Sequence, residues 1–195
     1  RVVDTASAVV DCTQYGNSGR LTLDVLLPPA GNVDLAKVGG PGKEFWVFGQ
    51  NYANDVDPQR LERSSMEPGA WRIEVSPKSA AAEDLFLNVM QVTNSQSPGR
   101  WPVQRLDAGE RVGCVIEGTE AAWVVLMHRN NHRSAEPVRF TVPGERAARM
   151  LVTDLTAGRW NARREGSAEI VELLVTEDSG AAWFEGPAGT WTFSR

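Results

Sequence analysis

The 195-residue sequence predicts an all-β fold, an antiparallel two-layer β-sandwich of many short strands, and three observations carry that prediction. Short runs rich in β-branched, aromatic and aliphatic residues recur roughly every ten residues, the spacing of sandwiches and barrels. Several runs alternate between apolar and polar side chains. Gly, Pro, Asn and Asp gather between the runs, where strands have to end.

In chain order the predicted strands are Ala8 to Cys12, Arg20 to Leu27, Val33 to Val38, Glu44 to Phe48, Trp71 to Val75 and Asp84 to Val92. The second half adds Arg111 to Ile116, Ala122 to His128, Val138 to Val142, Arg149 to Leu155, Arg159 to Arg163, Glu169 to Val175, Ala181 to Phe184 and Thr190 to Phe193. Leu21, Leu23, Val25 and Leu27 alternate with Thr22 and Asp24, which predicts a buried leucine face. Leu85 to Met90 is apolar on both faces except at Asn88, the pattern of a central strand covered on each side. Leu27-Pro28-Pro29-Ala30-Gly31-Asn32 and Gly39-Gly40-Pro41-Gly42 are breaks, because proline lacks a ladder donor and glycine permits reversal. Asn51 to Pro68 is the longest stretch without strand pattern, and Thr93 to Pro102 is a candidate boundary between sub-sheets within one domain spanning 1–195.

An apolar fraction of 42% and a charged fraction of 23% exclude a disordered or fibrous chain. The net charge of −5, with both signs interspersed, argues against nucleic acid as a partner. No run reaches the ~20 apolar residues of a membrane-spanning helix, so no membrane partner is expected. The chain opens on Arg1 inside a strand-like run, which reads as a cut within a longer polypeptide. Cys12 and Cys114 have no metal-type spacing and are either one long-loop disulfide or two buried thiols.

Gly19-Arg20-Leu21, Leu26-Leu27-Pro28, Gly39-Gly40-Pro41-Gly42-Lys43-Glu44-Phe45-Trp46, Gly49-Gln50-Asn51-Tyr52, Pro68-Gly69-Ala70-Trp71-Arg72-Ile73-Glu74-Val75 and Asp84 to Val92 follow in an order and spacing that resemble the C-terminal β-sandwich region of heparinase II/III-like polysaccharide lyases. The resemblance is carried by residues 19 to 92. Beyond residue 100 it rests on strand rhythm, on Thr153-Asp154-Leu155 followed by Gly158, and on Trp183-Phe184 and Trp191-Thr192-Phe193.

What the resemblance implies is a two-part bacterial enzyme, periplasmic or extracellular, in which an α/α-toroid carries most of the catalytic machinery and the sandwich forms the other wall of the cleft. Its chemistry is β-elimination at uronic acids of an acidic polysaccharide. A positioned Tyr or His takes the C5 proton while a cation or amide neutralises the carboxylate. The family's sandwich can also donate a His upstream of the Gly-Arg-Leu motif, near a structural metal in some members. No His precedes residue 128 here, so neither role transfers, and no cofactor or metal is expected.

Within the chain, His128, Arg129, Asn130, Asn131, His132 and Arg133 form a cationic and imidazole cluster at the end of a strand. Such groups can bind an anionic sugar or begin a metal site, and the plainer reading is a polar hairpin loop with Asn at positive φ. Asn51 and Tyr52 open the long loop, and the resemblance puts them on the cleft side. Arg159, Arg163 and Arg164 read as a solvated edge beside Glu165 and Glu169.

Of seven tryptophans, Trp46, Trp71, Trp123, Trp183 and Trp191 occupy in-pattern positions and are expected in the core. Trp101 and Trp160 sit at edges, where an indole can stack on a sugar ring. No Gly-x-Ser-x-Gly, His-Glu-x-x-His or phosphate-cradling loop is present, and Glu83-Asp84 and Glu177-Asp178 read as solvated turn carboxylates. Three functions stand in order: a cleft-completing lyase module, an independent carbohydrate-binding module, and a self-sufficient enzyme.

Overall fold

A computed structural model describes residues 1–14, 16–52, 71–96 and 99–195. The unpatterned stretch beginning at Asn51 therefore falls, over 53–70, outside the described residues, together with the Pro68-Gly69-Ala70 part of one motif. Among the described residues every regular element is a strand. The chain divides into two compact units, Arg1–Pro98 and Gly99–Arg195, and the division falls within the 93–102 stretch.

In the first unit, β1 (Ser7–Gln14) and β2 (Asn17–Leu27) form an antiparallel pair. Next come β3 (Val33–Gly39), the two-residue strands β4 (Trp46–Val47) and β5 (Gln50–Asn51), β6 (Trp71–Pro77) and β7 (Leu87–Asn94). One sheet has the order β1-β2-β7, while β3 pairs with β6 and β4 with β5. The Gly39-Gly40 break has a packing reason. A Cβ on Gly40 would lie 2.5 Å from the Trp71 ring, so that ring rests on bare backbone, with the Lys37 ammonium 3.6 Å from its centroid.

Two expectations for this unit are corrected. The side chains of Thr22 and Asp24 are buried, whereas Leu21 and Leu23 are only half-buried. Alternation separates the faces of a strand but does not say which one is covered; Val25 and Leu27, on either side of a register shift, are buried. Likewise β7 lies, among the described residues, at the edge of its sheet rather than at its centre. Leu85 and Phe86 precede it and are exposed, as are its Met90 and Val92.

The second unit is one seven-stranded sheet built from β8 (Val103–Ala108), β9 (Arg111–Glu117), β10 (Ala122–His128), β11 (Val138–Val152), β12 (Gly158–Arg164), β13 (Ile170–Val175) and β14 (Ala182–Ser194), in the order β13-β12-β14-β11-β10-β9-β8. β11 and β14 each join two runs that read as separate strands in the sequence, and their ladder carries an irregularity between Val142 and Ala147. The bend there divides the sheet into two halves. β10 pairs in parallel with the later part of β11 and carries β9 on its other side, while β12 pairs with the last residues of β14.

Val124, Leu126, Phe140, Met150, Trp160 and Phe193, drawn from both halves, belong to one buried cluster, which makes the bent sheet a sandwich. Phe193 stacks nearly parallel on Trp160 at 4.9 Å and on Phe184 at 5.7 Å. The buried indoles keep their polar handles satisfied, Trp160 Nε1 donating to the Thr156 carbonyl at 2.9 Å and Trp191 Nε1 to the Pro187 carbonyl at 3.1 Å. Both cysteines are free. Cys114 is buried, and burial pushes its thiol up, while Cys12 is exposed rather than enclosed as expected.

A Cβ on Gly186 would lie 2.4 Å from Cζ2 of the buried Trp191. Gly186→Ala is expected to lower stability by about 1–3 kcal/mol through overpacking, read from denaturant midpoints at unchanged slope.

Candidate functional site

The antiparallel β9–β10 pair sets Arg111 opposite His128, and both side chains are buried. A buried guanidinium has five donors to satisfy. Arg111 Nη2 donates to the Asp154 carbonyl at 2.9 Å, and Nη1 donates to the Thr153 carbonyl. Asp154 stands in the left-handed region at φ +57°. Its carboxylate accepts the His128 backbone N–H at 2.9 Å and the Thr153 hydroxyl at 2.9 Å. The Thr153-Asp154-Leu155 motif is thus a knot that ties the ends of β9, β10 and β11. Burial pulls the Arg111 pKa below its ordinary value, and the neighbouring Asp154 charge works against that.

From this base the loop after β10 turns back through Asn131 at φ +51°, as an Asn tolerant of positive φ allows. The turn brings the His128 and His132 rings to 4.0 Å. His128 Nδ1 accepts the Asn130 N–H at 3.2 Å, a contact that occupies the lone pair of that nitrogen. Arg129 donates to Asp107, and Arg133 to Glu177 at 2.8 Å. The cations of the cluster are therefore engaged in surface ion pairs, which an incoming anion can exchange. A cleft of about 340 Å³ adjoins the cluster, lined by Glu110, Arg111, His128, Ser134, Glu136 and Arg139 among others. Among the described residues no group of three or more His, Cys, Asp and Glu side chains is placed to hold a metal ion.

The other predicted site residues are scattered. Asn51 works for its own loop, Nδ2 donating to the Gly42 carbonyl at 2.7 Å and Oδ1 accepting the Phe45 N–H at 3.0 Å. Tyr52 is exposed beside it. Trp101 is 41% exposed. Trp160 is fully enclosed under Phe193, so its ring is closed to a ligand. Arg163 and Arg164 line a hollow with Glu165 and Glu172, and Glu165 pairs with Arg139 of β11.

One cluster is not evident from the sequence pattern. Trp183, expected in the core, is 46% exposed. Its ring centroid lies 5.8 Å from that of Trp123, which carries the Arg149 guanidinium 4.9 Å above it. A signal for it exists in Ala182-Trp183-Phe184-Glu185, where Ala182 and Phe184 face the core and Trp183 shares its face with a glutamate.

Residues 105–195 match the heparinase II C-terminal domain family, a span that runs from within β8 to the end of the chain. The match lies on the half that is poorer in family-like motifs, and residues 19 to 92 are outside it. No curated protein matches the chain.

Burial, with the His132 and Arg111 charges added and Glu110 and Asp154 opposing, pushes the His128 imidazole below its ordinary 6.5. The folded chain then takes up that proton at lower pH than the unfolded chain does. The stability involved is in place above pH 6.5 and is lost as pH falls from there through the folded value. The denaturant midpoint is expected to drop between about pH 7.5 and about pH 5.5, and His128→Gln to drop less over the same interval. Equal drops in the two proteins would assign the pH dependence to other groups.

Proposed function

We propose, from the premise that residues 105–195 are a heparinase II/III-like C-terminal region, that this chain is the cleft-completing β module of a lyase acting on a uronic-acid-containing polysaccharide. The family match carries the reading: it covers residues 105–195 and supports placing the second unit in the C-terminal part of such an enzyme. In β-elimination a base removes the C5 proton, the uronate carboxylate is neutralised, and the glycosidic oxygen leaves. The toroid of the parent polypeptide supplies the base, and the β module supplies a wall.

Two features support that division of labour. The charged groups of the Arg111–Asp154 knot are spent on strand ends, and the His128 Nδ1 lone pair is spent on a backbone N–H. In the first unit Val10, Met90 and Val92 expose apolar surface on one sheet, the kind of surface a neighbouring domain covers. Trp101, Arg129 and His132 of the second unit, and Asn51 and Tyr52 of the first unit taken by itself, are the positions we assign toward substrate; the setting is periplasmic or extracellular, where such polymers are met. The exposed Trp183 favours a second reading, an independent carbohydrate-binding module.

The purified chain and its full-length parent are to be mixed with heparan, chondroitin and alginate while the ultraviolet absorbance of unsaturated uronate is followed. Absorbance is expected to rise with the parent and stay flat with the chain. Turnover by the chain alone would sink the cleft-completing reading.

A further inference from the structure

On the face of the second unit's sheet that points away from its core, we propose that Trp183, Trp123 and Arg149 form a docking site for an anionic saccharide. Trp183 stacks on a sugar ring, and Arg149 holds the carboxylate or sulfate. The assignment deepens the lyase reading and rests on it for the ligand class.

The register builds the site. Trp123 on β10 stands beside Arg149 on β11, Arg149 stands opposite Glu185 on β14, and Trp183 is two positions along the same face of β14. The flanking Ala122, Val124, Ala148, Met150, Ala182 and Phe184 all point into the core, so these three side chains point out together. The two indole rings are tilted by 50° at 5.8 Å. Trp123 supports Arg149 from below at 4.9 Å, which leaves Trp183, 46% exposed, as the open ring.

Each part meets a different portion of a uronate. The apolar C–H face of a sugar can lie on an indole without desolvating hydroxyl groups. A planar guanidinium offers a carboxylate or sulfate two parallel N–H donors, and stacking on an aromatic face pre-organises it to do so. Glu185 holds the Nε side of Arg149 at 3.2 Å, with both side chains well exposed, so an incoming anion competes with a carboxylate already present. The site thereby distinguishes charged from uncharged sugars. A neutral ring gains the stack alone, whereas an anionic ring gains the stack and the fork at the expense of Glu185.

Calorimetric titration of the purified chain with hexasaccharides from heparan sulfate, chondroitin and alginate, and with uncharged cellohexaose, tests the site. Trp183→Ala is expected to weaken anionic hexasaccharides by about tenfold or more, and Arg149→Gln to do the same while leaving cellohexaose unaffected. Glu185→Gln is expected to tighten only the anionic ligands, by a few-fold. Trp183→Phe keeps a ring on the same backbone and should retain part of the affinity; thermal unfolding of each variant confirms that it is folded. Wild-type affinity in both Trp183→Ala and Arg149→Gln would overturn the site, and so would failure of every anionic probe to bind the wild-type chain. Turnover of a probe would overturn the cleft-completing reading and leave the docking site standing, so the two failures are told apart.

Discussion

The second unit depends on one aromatic stack, the Phe193 ring lying near-parallel between Trp160 and Phe184. Phe184 and Phe193 are at opposite ends of the same long strand, β14, and Trp160 comes from β12. The stack therefore joins the two halves of a sheet that bends at the Val142–Ala147 irregularity. Each such ring pair adds about 0.5–1.5 kcal/mol beyond area burial, but burial itself stabilises more for rings this completely enclosed. Trp191 closes the cluster edge-on against Phe184, and it has room only because residue 186 is glycine.

Polar geometry does at one end of the sheet what the rings do in the middle. Just past the end of β11 the carbonyls of Thr153 and Asp154 lie near the core, where carbonyls have to be satisfied, and that of Asp154 accepts the Ser134 N–H at 3.0 Å. Arg111 reaches across from β9 to serve two of them, while Asp154 gives up ordinary backbone geometry to bring its carboxylate onto the β10 terminus. Breaking one member would strand the others in a poorly solvated place. The loop holding His132 leaves this fixed base and brings the two imidazoles together.

The fold class was legible in the sequence, because alternation and turn residues are local properties. Most strands were found within a few residues. Two pairs of predicted strands proved continuous, since Pro143-Gly144 in β11 and Gly186-Pro187 in β14 read as breaks while the backbone ladder resumes beyond them. β8 was missed because Val103-Gln104-Arg105-Leu106-Asp107-Ala108 carries too few apolar residues to stand out. Which face of a strand is covered was not legible, as Thr22 and Asp24 against Leu21 and Leu23 demonstrate. Trp160 could have been placed correctly, for its neighbours Arg159, Asn161 and Arg163 leave it and Ala162 on the inner face. Alternation in β10 is apolar on both sides, so Trp123 carried no such signal.

The same alternation that seats Phe184 in the core has to turn Trp183 outward, because adjacent residues on a strand cannot share a face. The outer cluster inherits its rigidity from the inner one. A chain of net charge −5 does not draw polyanions in from a distance, and at physiological ionic strength charges more than about 8 Å apart are largely screened. Recognition of an anion by such a surface is then a matter of contact, decided by the guanidinium and carboxylate nearest the ring. Arg149 and Glu185, facing each other across β11 and β14 beside two indoles, are positioned to decide it.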